Sequence, residues 1–383
     1  VAKQPSDFIA WDLLGNAYHY QGVYYSTHMS NPESAWSKSS EYFRKAISIA
    51  PKFPWAINDL GNYYWVRANY ARNHGLEAKE LYKKAVEQFQ AAISIDTNYQ
   101  FANGNAIGAL VEFSDYLQEH GEGFLSLVST AEQIFNTCGS SCFKQITAQR
   151  NMATAYLTLA QHEVRRGTDP SQSLRKARHH LTEMHSLVGN TYWECLFARY
   201  ADTFESEYLT ITHKDPLSVI NKAITELSTC KALDAQAEDP YILEARLLIA
   251  QASWISSQGS SAQRELSLAL GAARKAVELN SESTEAAHER ARACHRLALI
   301  SKGTEHAALL VEGLQAVEQG LKIKADAGPL LAMKAVLLSQ QSRSEPDVAA
   351  RAAQEQLARQ SFEKALSINP LLEREYGPAI PRK

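Results

Sequence analysis

The sequence predicts an all-α fold, a right-handed α-solenoid of about eight antiparallel helical hairpins. Eight similar segments each centre on one small or apolar residue: Ala46, Ala92, Cys138, Met184, Cys230, Ala276, Gly320 and Ala365. Successive centres are 46, 46, 46, 46, 46, 44 and 45 residues apart, which is typical of stacked copies of one two-helix unit. Within the segments 42–51, 88–96 and 361–370, Phe, Ala and Ile recur three or four residues apart and so share one helical face.

The first helix of each copy carries a second recurring block. Its first two copies contain Trp11, Leu14, Gly15 and Tyr18, then Ile57, Leu60, Gly61 and Tyr64. A small residue returns in the slot of Gly15, which we call the first-helix slot: Gly61, Ala153, Ala245, Ala291 and Ala335. Arg199 stands near this slot in the fifth copy. Because a small residue lets a neighbouring helix approach closely, we expect the slot in the core.

A turn signal separates the two blocks of every copy, beginning with residues 30–32. Asn31-Pro32, Asp169-Pro170 and Asp215-Pro216 each offer a side-chain oxygen as an N-cap, followed by Pro at the first helical position. These pairs predict where the second helices begin, and Pro51 and Pro370 predict where two of them end.

One domain over residues 1–383 accommodates this pattern. We place its hairpins at about 6–51, 52–97, 98–142, 143–188, 189–234, 235–280, 281–325 and 326–370, with a C-terminal cap at 371–383. A terminal repeat needs a polar outer face, so we expect Arg374, Glu375 and Tyr376 to cover the exposed end.

These blocks resemble the tetratricopeptide repeat, whose pattern is Trp, Leu-Gly and Tyr on the first helix and Ala, Phe, Ala and Pro on the second. The match is good at residues 11–18, 43–51, 57–64, 89–97 and 362–370. Each unit is about 12 residues longer than the usual repeat of about 34. The resemblance implies a non-catalytic protein–protein interaction scaffold, with the first helices facing a concave groove.

A narrower resemblance concerns residues 167–170, residues 173–177 and the ending 369–376. They look like the C-terminal repeat region of bacterial serine/threonine protein kinases, where a repeat array follows the kinase domain. The chain contains no Gly-rich phosphate loop, His-Arg-Asp loop or Asp-Phe-Gly triplet. Since it begins at Val1, we expect an excised regulatory or targeting region, with any kinase activity in residues outside this sequence.

Composition agrees with a cytoplasmic scaffold. A net charge of −3 over 383 residues is too small to predict a nucleic acid or an anionic membrane as partner. No apolar run approaches the roughly 18 residues that a membrane span requires. We predict neither an enzyme nor a bound cofactor.

Cysteine and histidine positions predict packing rather than chemistry. Cys138 and Cys230 fall on the second-helix positions where Ala packs, and Cys195 and Cys294 lie on first helices, so we expect buried thiols. The spacing leaves open a disulfide between Cys138 and Cys142.

No metal site is predicted from the histidines. His180 and His185 are five residues apart, so they point about 140° away from each other on a helix, unlike the paired ligands of zinc proteases.

The positions of the asparagines predict where the binding surface lies. Asn16 and Asn62 share one register of the repeat, Asn105 and Asn151 share another, and Asn58 lies one turn from Asn62. An Asn side chain both donates and accepts, so a row of them can pair with an extended peptide backbone in the concave groove. The alternative is that these amides bond to loops or neighbouring helices.

Aromatic residues are concentrated before residue 71, and Tyr20, Tyr63 and Trp65 are predicted to anchor a protein or peptide partner in the same groove. Asp12 and Asn58 stand where a clamp for C-terminal carboxylates would place cations, so we do not expect that function. The alternative function is a small-ligand-sensing solenoid, which requires a closed and mostly apolar pocket of a few hundred Å³.

Overall fold

The structure is a computed structural model that describes residues 6–28 and 31–380. Ser30 of the first predicted turn and residues 381–383 of the predicted cap lie outside the described residues. The described part of the chain is helical throughout, with short turns and no strand. The predicted all-α fold of about eight hairpins is therefore confirmed.

Eight pairs of long helices make the hairpins within the described residues, and they are listed here in chain order: α1 (Phe8–Thr27) with α2 (Glu33–Ile49), α3 (Pro54–Asn73) with α4 (Lys79–Ile95), α5 (Gln100–Glu119) with α6 (Leu125–Cys138), α8 (Ile146–Arg166) with α9 (Ser171–Val188), α10 (Tyr192–Ile211) with α11 (Leu217–Leu233), α12 (Asp239–Ser257) with α13 (Gln263–Leu279), α14 (Thr284–Ala298) with α15 (Gly303–Ile323), and α16 (Gly328–Arg343) with α17 (Val348–Ile368). Short helices follow α6 and α17: α7 (Ser140–Phe143), α18 (Leu372–Tyr376) and a 3₁₀ turn at Gly377–Ala379.

The chain divides into two compact units. Unit 1 comprises residues 1–117 and 123–155, and unit 2 comprises residues 118–122 and 156–383. The single domain over residues 1–383 stays a prediction.

The predicted capping oxygens are in place at three second helices. Asn31 Oδ1, Asp169 Oδ1 and Asp215 Oδ1 each accept a backbone N–H two residues later, at 2.9 Å. Because each oxygen caps the residue after the proline, helices α2, α9 and α11 begin one position later than predicted.

The core of unit 1 depends on close helix approach at the first-helix slot. Phe43 and Phe89 on the second helices are fully buried and lie against Gly15 and Gly61. A Cβ atom at Gly61 would lie 2.6 Å from Cε1 of Phe89, well inside van der Waals contact. The slot is therefore small because a ring of the partner helix occupies the space.

Unit 2 keeps the small slot at Ala245, Ala291 and Ala335, which are fully buried. Arg199 is buried in the fifth hairpin, where it contacts Asp202 at 3.1 Å and also Glu226. Two carboxylates thus compensate a guanidinium at a position that six other copies, from Gly15 to Ala335, fill with Ala or Gly.

The cysteine prediction was wrong for Cys195 and Cys230. These residues form a disulfide that joins α10 to α11, with Cα atoms 5.6 Å apart, and Cys138 pairs with Cys142. The error arose because each residue was assigned to packing separately, although a hairpin brings two helix positions 35 residues apart face to face. Cys294 is a buried free thiol as expected, and burial raises its pKa to about 12.

The C-terminal end is less exposed than predicted. Arg374 and Glu375 are exposed, but Tyr376 is buried and its hydroxyl lies 2.8 Å from Nε2 of His288. Within unit 2, Asn369 Nδ2 also donates to the carbonyl of Gln118 at 3.1 Å. Helix α18 places Tyr376 on its buried side. The charged residues next to it in the sequence gave no sign of this burial.

Replacing Gly61 with Ala should destabilise the protein, because the new methyl group must displace the Phe89 ring from its packed position. We expect a loss of about 1–3 kcal/mol, measured as a lower midpoint of chemical denaturation followed by circular dichroism. Gly271→Ala is the matched control: its Cβ meets no atom within 4 Å in the middle of α13, so it should stabilise by about 0.5–1 kcal/mol. Equal effects of the two substitutions would contradict this account of the slot.

Cys195→Ser should lower stability under oxidising conditions by about 2–4 kcal/mol, because the cross-link restricts the unfolded chain. Dithiothreitol should destabilise the natural sequence more than this variant, and a non-reducing digest should contain linked peptides with Cys195 and Cys230. Cys294→Ser is the control, since its effect should not depend on the reductant. An unlinked Cys195 peptide in oxidised protein would refute the pairing.

Candidate functional site on the first helices of unit 1

Four of the five predicted asparagines take part in hydrogen bonds between neighbouring first helices. Asn16 Nδ2 donates to Asp59 Oδ2 at 2.6 Å, and Asn105 Nδ2 donates to Asn58 Oδ1 at 3.0 Å. Asn151 Nδ2 donates to the Gly104 carbonyl at 3.3 Å. These bonds connect α1 to α3, α3 to α5 and α5 to α8. They correspond to the alternative that the sequence left open.

The remaining predicted residues differ in accessibility. Tyr20 is 69% exposed and Asn62 is half-buried, so both are available to a partner. Trp65 is half-buried and its Nε1 donates to Glu112 Oε2 at 2.6 Å. Tyr63 lies in the core with 3% of its surface exposed, and its hydroxyl accepts from Arg67. Tyr63 therefore contributes to packing, and a groove role for the other residues stays a prediction.

Sequence reasoning missed an apolar row near the beginning of the first three first helices. Ile9, Trp55 and Phe101 are 46 residues apart and are 50%, 55% and 72% exposed. We call these three residues the exposed row. Half-buried rings lie beside it: Phe8 packs on Phe53 with ring centroids 4.7 Å apart. The period of 46 already placed the three residues in one register, but exposure could not be read from it.

Two carboxylates lie one helical turn from the exposed row. Asp12 follows Ile9 by three residues and Asp59 follows Trp55 by four, which places each pair on one helix face. Asp12 is 6% exposed, and its Oδ1 accepts no hydrogen bond. Burial, with a smaller contribution from Asp59, raises the pKa of Asp12 to about 7.

Asp59 and Tyr99 belong to the same cluster of polar side chains as Asp12. Asp59 accepts from Asn16 and from Asn58 Nδ2, the latter at 3.0 Å. Burial raises the pKa of Asp59, although these two hydrogen bonds act in the opposite direction. Burial and the nearby Asp59 and Asp12 carboxylates raise the pKa of Tyr99 above its usual range. The two carboxylates and the phenol therefore converge at one place on unit 1.

Unit 2 contains a second cluster of polar side chains, in which the charged residues pair with one another. Glu289 is fully buried and contacts Arg246 Nε at 3.0 Å, His288 Nδ1 at 3.2 Å and Arg292 at 3.4 Å. Burial alone would raise the pKa of Glu289, but Arg292 and Arg246 hold it far below its usual range. Because the central charge is compensated several times, we regard this network as structural.

A recess of about 380 Å³ between α9, α10 and α11 is lined by charged groups, among them Arg178, Arg199, Asp202 and Lys222. It differs from the apolar pocket that a ligand sensor requires. Among the described residues, no cluster of three or more His, Cys, Asp or Glu side chains is placed to hold a metal. None of the described helices combines the length and apolarity needed to cross a bilayer.

No family model matches the chain, and no curated protein matches it. Solved structures match at the level of the fold. A thermophilic TPR protein of Thermus thermophilus, TTC0263, is 16% identical over 61% of this chain and 98% of its own, with a TM-score of 0.39.

Two further solved structures were matched. A monomeric mutant of IFIT1 with m7Gppp-AAAA is 11% identical over 95% of this chain and 80% of its own, with a TM-score of 0.43. The APC/C hetero-tetramer Cut9-Hcn1 is 12% identical over 91% of this chain and 63% of that chain, with a TM-score of 0.33. These likenesses concern a TPR-like helical repeat alone and show no family membership.

Proposed function

We propose that this chain is a non-catalytic protein-interaction scaffold whose first three hairpins bind a segment of another protein along the first helices of unit 1. The observation that carries the proposal is the exposed row. Large exposed apolar side chains that recur in one repeat register are the kind of surface feature that can mark a protein-interaction site.

The spacing of the row suggests an extended segment as the partner. Packed helices lie about 8–10 Å apart, and an extended chain advances about 3.3 Å per residue. Successive members of the row would therefore meet about every third residue of the segment. Tyr20 and Asn62 lie further along the same first helices and would extend the contact.

The interhelix amides serve this function indirectly. Asn16 and Asn105 hold α1, α3 and α5 together through side-chain hydrogen bonds, which keeps the members of the row at fixed distances. A preformed surface binds more tightly than a flexible one, because less conformational entropy is lost on association.

Attachment to a serine/threonine kinase is a separate proposal that rests on the resemblance of residues 167–177 and 369–376. In unit 2, Ser173, Ala177 and Asn369 of these segments are buried, so packing alone also accounts for them. Sequencing the coding region upstream of Val1 tests the proposal, and an upstream region without a kinase domain would refute it.

A cytoplasmic location is likewise proposed, but the two disulfides bear against it, since the cytosol keeps most thiols reduced. Alkylating thiols in intact cells before lysis distinguishes the cytoplasm from an oxidising compartment. Alkylated Cys195 and Cys230 would support the cytoplasm, whereas linked peptides would place the chain in an oxidising compartment.

The double variant Trp55→Ala/Phe101→Ala should bind its partner at least about tenfold more weakly, which is about 1.4 kcal/mol. A photo-crosslinker at Tyr20 first identifies the partner, and titration of the purified partner then gives the dissociation constant. Leu268→Ala on α13 removes a side chain of similar exposure, 50%, and should leave binding unchanged. Normal binding by a folded double variant would place the recognition surface elsewhere.

Asn62→Ala should weaken partner binding without changing the melting temperature, because Asn62 is half-buried and makes no side-chain hydrogen bond within the described residues. The combined substitution of Asn16, Asn62, Asn105 and Asn151 by Ala should instead lower stability, by roughly 0.5–1.5 kcal/mol for each lost interhelix bond. Thermal melts and titrations of both variants make the comparison. An unchanged melting temperature for the fourfold variant would mean that the interhelix amides contribute nothing to the fold.

A further inference from the structure

We propose that the partner segment carries a Lys or Arg side chain, which enters unit 1 beside the exposed row and pairs with Asp12 and Asp59. This inference rests on the proposed function and specifies the chemistry of the segment. It reverses the charge of the clamp that some tetratricopeptide arrays use for C-terminal carboxylates.

The first argument is the missing counter-charge. Within the described residues, neither Asp12 nor Asp59 forms an ion pair with a Lys, Arg or His side chain. Asp59 is stabilised by two amide donors, whereas the buried Asp12 Oδ1 has no donor at all. A buried carboxylate without a partner is unfavourable, and a second carboxylate nearby adds repulsion. A cation supplied by another molecule removes both penalties.

The second argument is reach and shape. Asp12 is only 6% exposed, so a partner would have to reach it with a long side chain that carries its charge at the end. The guanidinium of Arg also presents parallel donors to carboxylate oxygens and stacks on aromatic rings. Trp55 lies one turn from Asp59, and Tyr99 is close enough to be influenced by both carboxylates.

The third argument is a stability cost in the unbound protein. The pKa of Asp12 is raised from 3.8 to about 7, so the folded state binds its proton more tightly than the unfolded state does. The stability contributed by that proton is therefore fully present below about pH 4 and is lost as the pH rises through about 7. Among the described residues, the titratable groups that interact electrostatically with Asp12 are the Asp59 carboxylate and the neutral Tyr99 phenol. Neither is a cation that would compensate the charge.

Two pools of extended peptides, which carry no charged side chain apart from one fixed position, test the proposal. One pool has a single fixed Arg and the other has citrulline, which is nearly isosteric and neutral, at the same position. Binding is measured by fluorescence anisotropy with the natural sequence, Asp12→Asn and Glu41→Gln. Glu41 is an exposed carboxylate on α2, so its substitution changes the net charge equally without touching the site.

We expect the natural sequence and Glu41→Gln to prefer the Arg pool by at least about tenfold, and Asp12→Asn to lose that preference. At pH 8 we also expect Asp12→Asn to melt at a higher temperature than the natural sequence, because it removes the uncompensated charge. A lower melting temperature would show that Asp12 has a structural role and would overturn the inference.

The peptide outcomes separate this inference from the proposed function. Equal binding of both pools, lost in Trp55→Ala/Phe101→Ala, would overturn the cation site and leave the scaffold function supported. Binding of neither pool would count against both. A preference for Arg that Asp12→Asn retains would also refute the assignment to this carboxylate.

Discussion

The close approach of the two helices in each hairpin is the constraint on which the rest of the structure depends. In unit 1 a Phe from the second helix occupies the space that a Cβ at Gly15 or Gly61 would take. Since the space is already filled, the slot accepts no larger residue without moving the ring. A small residue returns at Ala153, Ala245, Ala291 and Ala335, and this recurrence helps to make a period near 46 visible in a chain whose copies otherwise share few residues.

The two units satisfy this constraint with different chemistry. Unit 1 uses rings and uncharged amides, with Asn side chains crossing between first helices. Unit 2 admits Arg199 near a small slot and centres another group on the buried Glu289, and both depend on charges of opposite sign. Buried ion groups of this kind are costly to break because each partner would be left unpaired. Asp12 in unit 1 differs from these groups, because among the described residues its carboxylate forms no ion pair.

At the first helices of unit 1, the features proposed to bind a partner lower the stability of the unbound protein. The exposed row leaves apolar surface in water, and one buried oxygen of Asp12, Oδ1, has no hydrogen-bond donor. Neither feature helps the isolated chain to fold, whereas a segment with apolar residues and one cation would relieve both. Asn16 and Asn105, which the sequence predicted to contact a partner, instead join neighbouring first helices and would hold the proposed binding surface in place.

The sequence by itself determined the all-α class, the eight hairpins, the buried slots and the capping oxygens at Asn31, Asp169 and Asp215. These features depend on local periodicity and on contacts two to four residues apart, which a single chain displays directly. Tertiary structure alone decided that Cys195 pairs with Cys230, that Tyr63 and Tyr376 face inward, and that Asn16 and Asn105 bond to neighbouring helices. These outcomes depend on how far a helix is rotated about its axis against a partner, which for the bonded pairs is 35 to 88 residues away, and a repeat period carries no information about that angle.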